Sequence, residues 1–221
     1  ITETRFVKKE ESIKVKKENL FKNTEHRKLI LKTLEQDYQG GKTLQSEMED
    51  EWNKYNDVAI LKKYYSRWLH ILLSVTDESS TISDDYIDLV PFNIKIGSDE
   101  SIFIFDQEWQ LNGRIDFNWI ACRGIYWSLV NLKTIHPLEI KPFDLIHDVF
   151  VEHGLNITVD AFDDIKVKER NFIKEITGEN IEFFDVVHKQ PERIVNLHYH
   201  HLDLLSQYRN QLACQENRLV S

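Results

Sequence analysis

Asp88-Leu89-Val90-Pro91-Phe92-Asn93-Ile94, followed by an apolar run that ends at Asp106-Gln107-Glu108-Trp109, is the stretch on which the reading of this chain turns. A loop Asp, an Asn shortly after it and a second Asp at the end of the next strand pair are the groups that phosphoryl transfer requires. The loop Asp accepts a proton from the attacking hydroxyl. The Asn and the strand-end Asp hold magnesium on the phosphates of a nucleoside triphosphate. On this spacing the chain is expected to bind Mg and ATP.

Working outward, the hairpin that carries these groups is itself legible. Ile94-Lys95-Ile96 and Ile102-Phe103-Ile104-Phe105 read as two strands joined by a turn at Gly97-Ser98-Asp99. Before it, the acidic, Ser-rich segment 76–85 reads as a surface loop. Before that, Val58, Leu61, Tyr65, Trp68, Leu69 and Leu72 recur at helical spacing and predict one amphipathic helix over roughly 52–75. Gln39-Gly40-Gly41-Lys42 is a turn, and Thr43 is an N-cap for the helix that starts after it.

The front of the chain reads as strand: Arg5-Phe6-Val7-Lys8 and Ile13-Lys14-Val15-Lys16 alternate in character. Residues 29–34 fit either a strand or a short helix. After Asp116 the pattern is helical, at about 116–132, 138–153, 158–176 and 190–215, with breaks at Pro137, Gly154 and Gly178. The expected division is therefore a strand-rich front over 1–38, a helical body carrying the hairpin over 39–190, and a terminal helix or coiled-coil start over 191–221.

Composition narrows the functions open to this chain. Its 221 residues suffice for one or two domains with a sizeable core, and few Gly and Pro favour helix over loop. A formal net charge of −9 speaks against nucleic-acid binding, which needs a basic face. Lys8, Lys9, Lys14, Lys16 and Lys17 form a local basic patch; one or two of them would suffice for a nucleotide or sugar phosphate, and most read as a solvated strand surface. Cys122 and Cys214 lack metal-ligand spacing and fit a reducing compartment. No apolar run reaches the roughly 18 residues of a transmembrane helix, and no signal peptide is visible. With Ile1 at its start and Met48 as its one methionine, the chain reads as part of a longer polypeptide.

The loop resembles the catalytic loop of aminoglycoside-phosphotransferase-like kinases, where an Asp-Leu-x-Pro-x-Asn-Ile core is usual. Asp106-Gln107-Glu108-Trp109 is similar to their metal-binding strand end in its Asp-x-Glu-Trp form, and residues 37–44 are similar to the kinase hinge. That form, with Arg123 on the following helix, resembles the kinase-like domains joined to bacterial methyltransferases and glycosyltransferases that build cell-surface polysaccharides of the O-antigen type. The resemblance covers about residues 3–130. It implies an α+β, protein-kinase-like two-lobed fold with a reduced strand-rich N-lobe and a mostly helical C-lobe. It implies a glycan hydroxyl as acceptor, an attached methyltransferase or glycosyltransferase as partner, and a cytoplasmic location that partners could bring to the inner face of the membrane.

Carried over by residue, the resemblance makes Asp88 the general base or hydroxyl-orienting group and Asn93 a carbonyl ligand to magnesium. Asp106 would bridge magnesium to the phosphates, a hard carboxylate for a hard cation. Glu108 is either an outer metal ligand or a surface acid. Lys17 is the candidate for gripping the phosphates, with Lys16 its rival. The chain also departs from the pattern. It has no glycine-rich phosphate loop, no basic residue before Asp88, and Glu25 alone as a partner for the lysine. The same residues therefore also fit an inactive kinase-like module that positions or regulates an attached transferase.

Other motifs carry less. His198, His200 and His201 diverge around a helix and make a poor three-His metal site. Trp109, Trp119 and Trp127 read as packing residues. Arg123 is placed to pair with Asp116 or with a carboxylate of the active loop. Asp106 and Glu108 share one strand end, so they cannot flank a sugar as a retaining glycosidase pair must.

Overall fold

Alternating side chains at the front of the chain form an antiparallel pair, β1 (Thr2–Lys9) and β2 (Ser12–Asn19), with Phe6 opposite Val15. The computed structural model describes residues 2–9, 12–19, 29–31, 34–37, 40–97, 99–107, 109–111 and 113–191. The segment that fitted strand or helix resolves as two strands, β3 (Leu29–Leu31) and β4 (Leu34–Asp37). β2 pairs with β4, setting Lys14 against Asp37 at 2.6 Å and Lys16 against Glu35 at 2.9 Å. Opposite charges directly across a ladder support its register, though exposed pairs contribute little to stability.

Thr43 caps α1 (Leu44–Tyr55) as expected, its hydroxyl accepting the Ser46 amide at 3.0 Å. The single helix expected over 52–75 is instead two. Asn56 takes a left-handed conformation (φ 51°) that ends α1, and the Asp57 carboxylate accepts the Ala59 amide to start α2 (Val58–Ser74). Asn tolerates that backbone better than most residues, and Asp is a strong N-cap, so two adjacent polar residues interrupt the apolar period. Val58, counted on the apolar face, is 41% exposed at the new helix start.

The surface loop expected over 76–85 is also corrected. It contains β5 (Thr81–Ile82) and a 3-10 turn (Asp84–Tyr86), and Ile82 is fully buried. The Asp77 carboxylate organises this turn. It accepts the amides of Ser79 and Thr81 and pairs with Arg114. The Thr81 backbone bond, first among its partners, holds the Asp77 carboxyl below its ordinary value of 3.8. A depressed carboxyl contributes stability that is full above its unfolded value and lost as pH falls through its folded value. The gap in Tm between wild type and Asp77→Asn is therefore expected to be open above about pH 4 and to close below it. Thermal melts at a series of acid pH values check this.

Beyond the turn come β6 (Ile94–Ile96) and β7 (Ile102–Ile104), the expected hairpin, with Ile94 opposite Ile104. β8 (Trp109–Leu111) returns to pair with β3, and β9 (Ile115–Asp116) pairs with β5. Then follow α3 (Phe117–Val130), β10 (Leu138–Ile140), α4 (Pro142–Glu152), α5 (Val159–Thr177) and β11 (Val187–Lys189). The helix expected over 138–153 thus begins as a strand paired with β11, and Pro142 opens α4, where a missing amide costs nothing. The terminal helix expected over 190–215, with its three histidines, falls almost wholly outside the described residues.

Every strand pairing among the described residues is antiparallel, so the architecture is α+β: small antiparallel sheets set against helices. The core lies where Tyr65, Trp68, Leu69 and Leu72 of α2 meet Ile120, Ile125 and Leu129 of α3 and Ile146, Val149 and Phe150 of α4. Among the described residues no helix is long and apolar enough to cross a membrane.

Candidate functional site

The loop that enters the hairpin is shaped by Pro91. Val90 before it is extended (φ −120°, ψ 157°), as a residue preceding proline prefers, and residues Pro91–Asn93 form a 3-10 turn. The Asp88 carbonyl then accepts twice, from the Val90 amide at 2.9 Å and from the Asn93 side-chain Nδ2 at 3.0 Å. Asn93 is buried, and its carboxamide closes the loop back onto Asp88. With Nδ2 committed to the loop, the atom a metal ion would meet is Oδ1.

The hairpin ladder sets the second carboxylate one residue from the backbone partner of Asn93. The Phe105 amide donates to the Asn93 carbonyl at 3.0 Å, which extends the Ile94–Ile104 register by one step. Asp106 is therefore one residue beyond the partner of Asn93. Its backbone is left-handed (φ 65°), and Oδ1 is buried. Asp adopts this region more readily than bulkier residues, yet it remains a strained choice of the kind found at functional sites. The structure thus assembles Asp88, Asn93 and Asp106 around one loop and one hairpin end.

Asp88 is held from the other side by α3. Asp116 caps that helix by accepting the Trp119 amide at 2.8 Å, which leaves Arg123 to find its partner elsewhere. Arg123 Nη1 donates to Asp88 Oδ1 at 3.0 Å and to the Ile87 carbonyl at 2.6 Å. Its Nε donates to Glu169 Oε1 on α5 at 3.1 Å. Burial works against the charge of Arg123, but the Glu169 and Asp88 carboxylates outweigh it and raise its pKa further above the ordinary value.

Glu169 is 1% exposed and carries no signal in the catalytic-loop motifs. Its carboxylate also accepts from Trp119 Nε1 at 2.7 Å and Trp127 Nε1 at 2.9 Å. Both tryptophans, expected as packing residues alone, are hydrogen-bond donors to a buried charge. Trp119, Arg123 and Trp127 follow one another by single turns of α3 and so share one face. A signal for Glu169 does exist in the sequence: it is the acid among Phe162, Ile165, Phe172 and Ile176 on the apolar stripe of α5. A charge in such a stripe requires partners.

The remaining candidates are placed only in part. Lys17 is in β2 opposite Thr4 and Leu34, and its side chain lies outside the described residues. Glu108 lies outside them altogether, as does Glu25. Lys16, the rival to Lys17, is paired with Glu35. Gln110 of β8 donates to Asp84 at 2.8 Å, tying the strand after Asp106 to the turn before Asp88.

Among the described residues no group of three or more His, Cys, Asp or Glu could hold a metal ion unaided. A carboxylate and a carboxamide oxygen, as on Asp106 and Asn93, still fit magnesium, which keeps several waters and takes its other ligands from phosphates. Set against known proteins, the chain matches no family model, no curated protein and no solved structure.

Proposed function

We propose that this chain is a Mg-ATP-binding domain of the two-lobed kinase type, acting in the biosynthesis of a bacterial cell-surface polysaccharide by phosphoryl transfer to a sugar hydroxyl. The observation that carries the reading is the joint placement of Asp88, Asn93 and Asp106 by the loop and the hairpin ladder. The polysaccharide context rests on the Asp-x-Glu-Trp resemblance and implies an attached or associated methyltransferase or glycosyltransferase.

In this reading Asn93 Oδ1 and Asp106 hold magnesium, which neutralises charge on the phosphates when bound. Asp88 orients the acceptor hydroxyl and takes its proton as the hydroxyl oxygen bonds to the γ-phosphorus and the bond to the β-phosphate oxygen breaks, releasing ADP. Its salt bridge to Arg123 does not oppose this role, because positioning dominates phosphoryl transfer over basicity. Lys17 would meet the phosphates, and Glu108 the metal's outer ligands.

One observation favours a second reading, a kinase-like module without transfer that positions or regulates its attached transferase. Between Ile1 and Gly40 there is no glycine, so this stretch has no glycine-rich phosphate loop.

Thermal unfolding with and without Mg-ATP tests the nucleotide site. At about a hundred times its dissociation constant the ligand stabilises by roughly 2.7 kcal/mol, a rise of roughly 5–10 °C at this chain length. The rise is expected in the wild type, to require magnesium, and to vanish in Asp106→Ala. Equal melting temperatures with and without Mg-ATP in the wild type would remove the kinase reading.

A further inference from the structure

The buried cluster of α3 and α5 has more polar connection than stability alone asks for. Filling the same space with apolar side chains is often neutral or better for folding, so a buried ion network is weak evidence of a stability role. Its connections run in one direction, toward the loop. Glu169 is locked by three donors, Trp119 Nε1, Trp127 Nε1 and Arg123 Nε. Arg123, 11% exposed, then presents Nη1 to both the Asp88 carboxylate and the Ile87 carbonyl. A guanidinium is planar and rigid, so fixing its Nε edge fixes the direction of Nη1. One cation thus serves two carboxylates, and the fully buried one sets where it points.

We propose that Glu169 is a positioning residue for the site: through Arg123 it fixes the loop that carries Asp88 and Asn93. The role of that loop in phosphoryl transfer rests on the reading given above, whereas the mechanical link from Glu169 to the loop does not. Glu169 touches no reacting atom. Without its charge, the bond that orients Arg123 weakens, and the guanidinium can swing away from Ile87 and Asp88. The loop would then keep its own bonds, Asn93 to the Asp88 carbonyl and the Phe105 amide to the Asn93 carbonyl, but lose its tie to α3.

The test is amide hydrogen exchange, followed by mass spectrometry over peptides spanning the loop and α2, in wild type, Glu169→Gln, Arg123→Lys and the double variant. Glutamine keeps the volume of Glu169 and removes its charge. In Glu169→Gln, protection of the 87–93 loop is expected to fall by about tenfold or more, the factor that one charge-assisted hydrogen bond carries, while α2 loses less. Arg123→Lys is expected to reproduce the effect and reads the same link should Glu169→Gln fail to fold. The double variant is expected to show no further loss, since both act through one guanidinium.

A loop as protected in Glu169→Gln as in wild type overturns the proposal. So does a loss spread evenly over the loop and α2, which marks Glu169 as structural only, or additive losses in the double variant. The Mg-ATP melt run on the same proteins separates the two claims. A wild type that ignores Mg-ATP removes the nucleotide reading and leaves the exchange result standing. If the wild type does respond, weaker Mg-ATP stabilisation in Glu169→Gln is expected as well.

Discussion

Glu169→Ala is expected to destabilise the fold by about 3–5 kcal/mol, the cost of removing one partner from a buried ion pair. At this chain length that lowers Tm by roughly 6–20 °C. The loss has two parts. Arg123 loses the carboxylate that orients it while still nearly buried. The indole N–H groups of Trp119 and Trp127 lose their acceptor in a space too apolar to replace it. Replacing Glu169 and Arg123 together, as Glu169→Leu with Arg123→Met, is expected to cost less than Glu169→Ala alone, because no buried charge is then left facing a void. Urea unfolding of the three proteins decides the matter. A loss under about 1 kcal/mol for Glu169→Ala would mean that water enters and satisfies the cluster.

The second large effect is centred on Trp68. Its side chain is fully buried in α2 and lies against Gly124 of α3, where an added Cβ would overlap the indole ring. Trp68→Ala is expected to cost about 3–5 kcal/mol through lost burial and the cavity left behind. Gly124→Ala in the wild type should cost about 1–3 kcal/mol by overpacking, despite the better helix propensity of alanine. In the Trp68→Ala background the sign reverses. The ring is gone, the methyl has room, and helix propensity then favours alanine by about 1 kcal/mol. A double-mutant cycle by urea unfolding therefore yields a strong coupling; additive effects would show that the two helices do not meet at this point. Among the described residues the Trp68 indole N–H has no hydrogen-bond partner, so Trp68→Phe should be much milder than Trp68→Ala.

Local chemistry explains which features were legible in the sequence. Asp88, Asn93 and Asp106 belong to one loop and one hairpin, and short-range rules govern both: proline shapes the entry, and the ladder extends by register. The N-cap at Thr43, the β6–β7 hairpin, α3 and α5 follow from caps and periodicity for the same reason. The misses have the opposite character. β5 and β10 are two or three residues long and exist because β9 and β11 arrive to pair with them. No pattern within such a short segment could announce that. The break at Asn56 was hidden because Trp52 and Leu61, on either side of it, both point inward and preserve an apparent period. Glu169 was missed because its partners lie more than forty residues away on another helix. Only the burial that α5 would have to give it, against its charge, could have raised the question.

The contact between α3 and α5 also defines where this unit can be cut. A protein shortened ahead of Thr158 would retain the Asp88 loop, the hairpin and α3 intact in sequence. It would nonetheless expose the face of α3 that α5 covers, with the rings of Trp119 and Trp127 and the Arg123 Nε edge stripped of Glu169 and Phe172. Such a fragment is expected to be insoluble or protease-sensitive. The shortest piece able to stand alone must therefore run past Glu169, and a protease that nicks between α4 and α5 should release two parts that stay together until denaturant separates them.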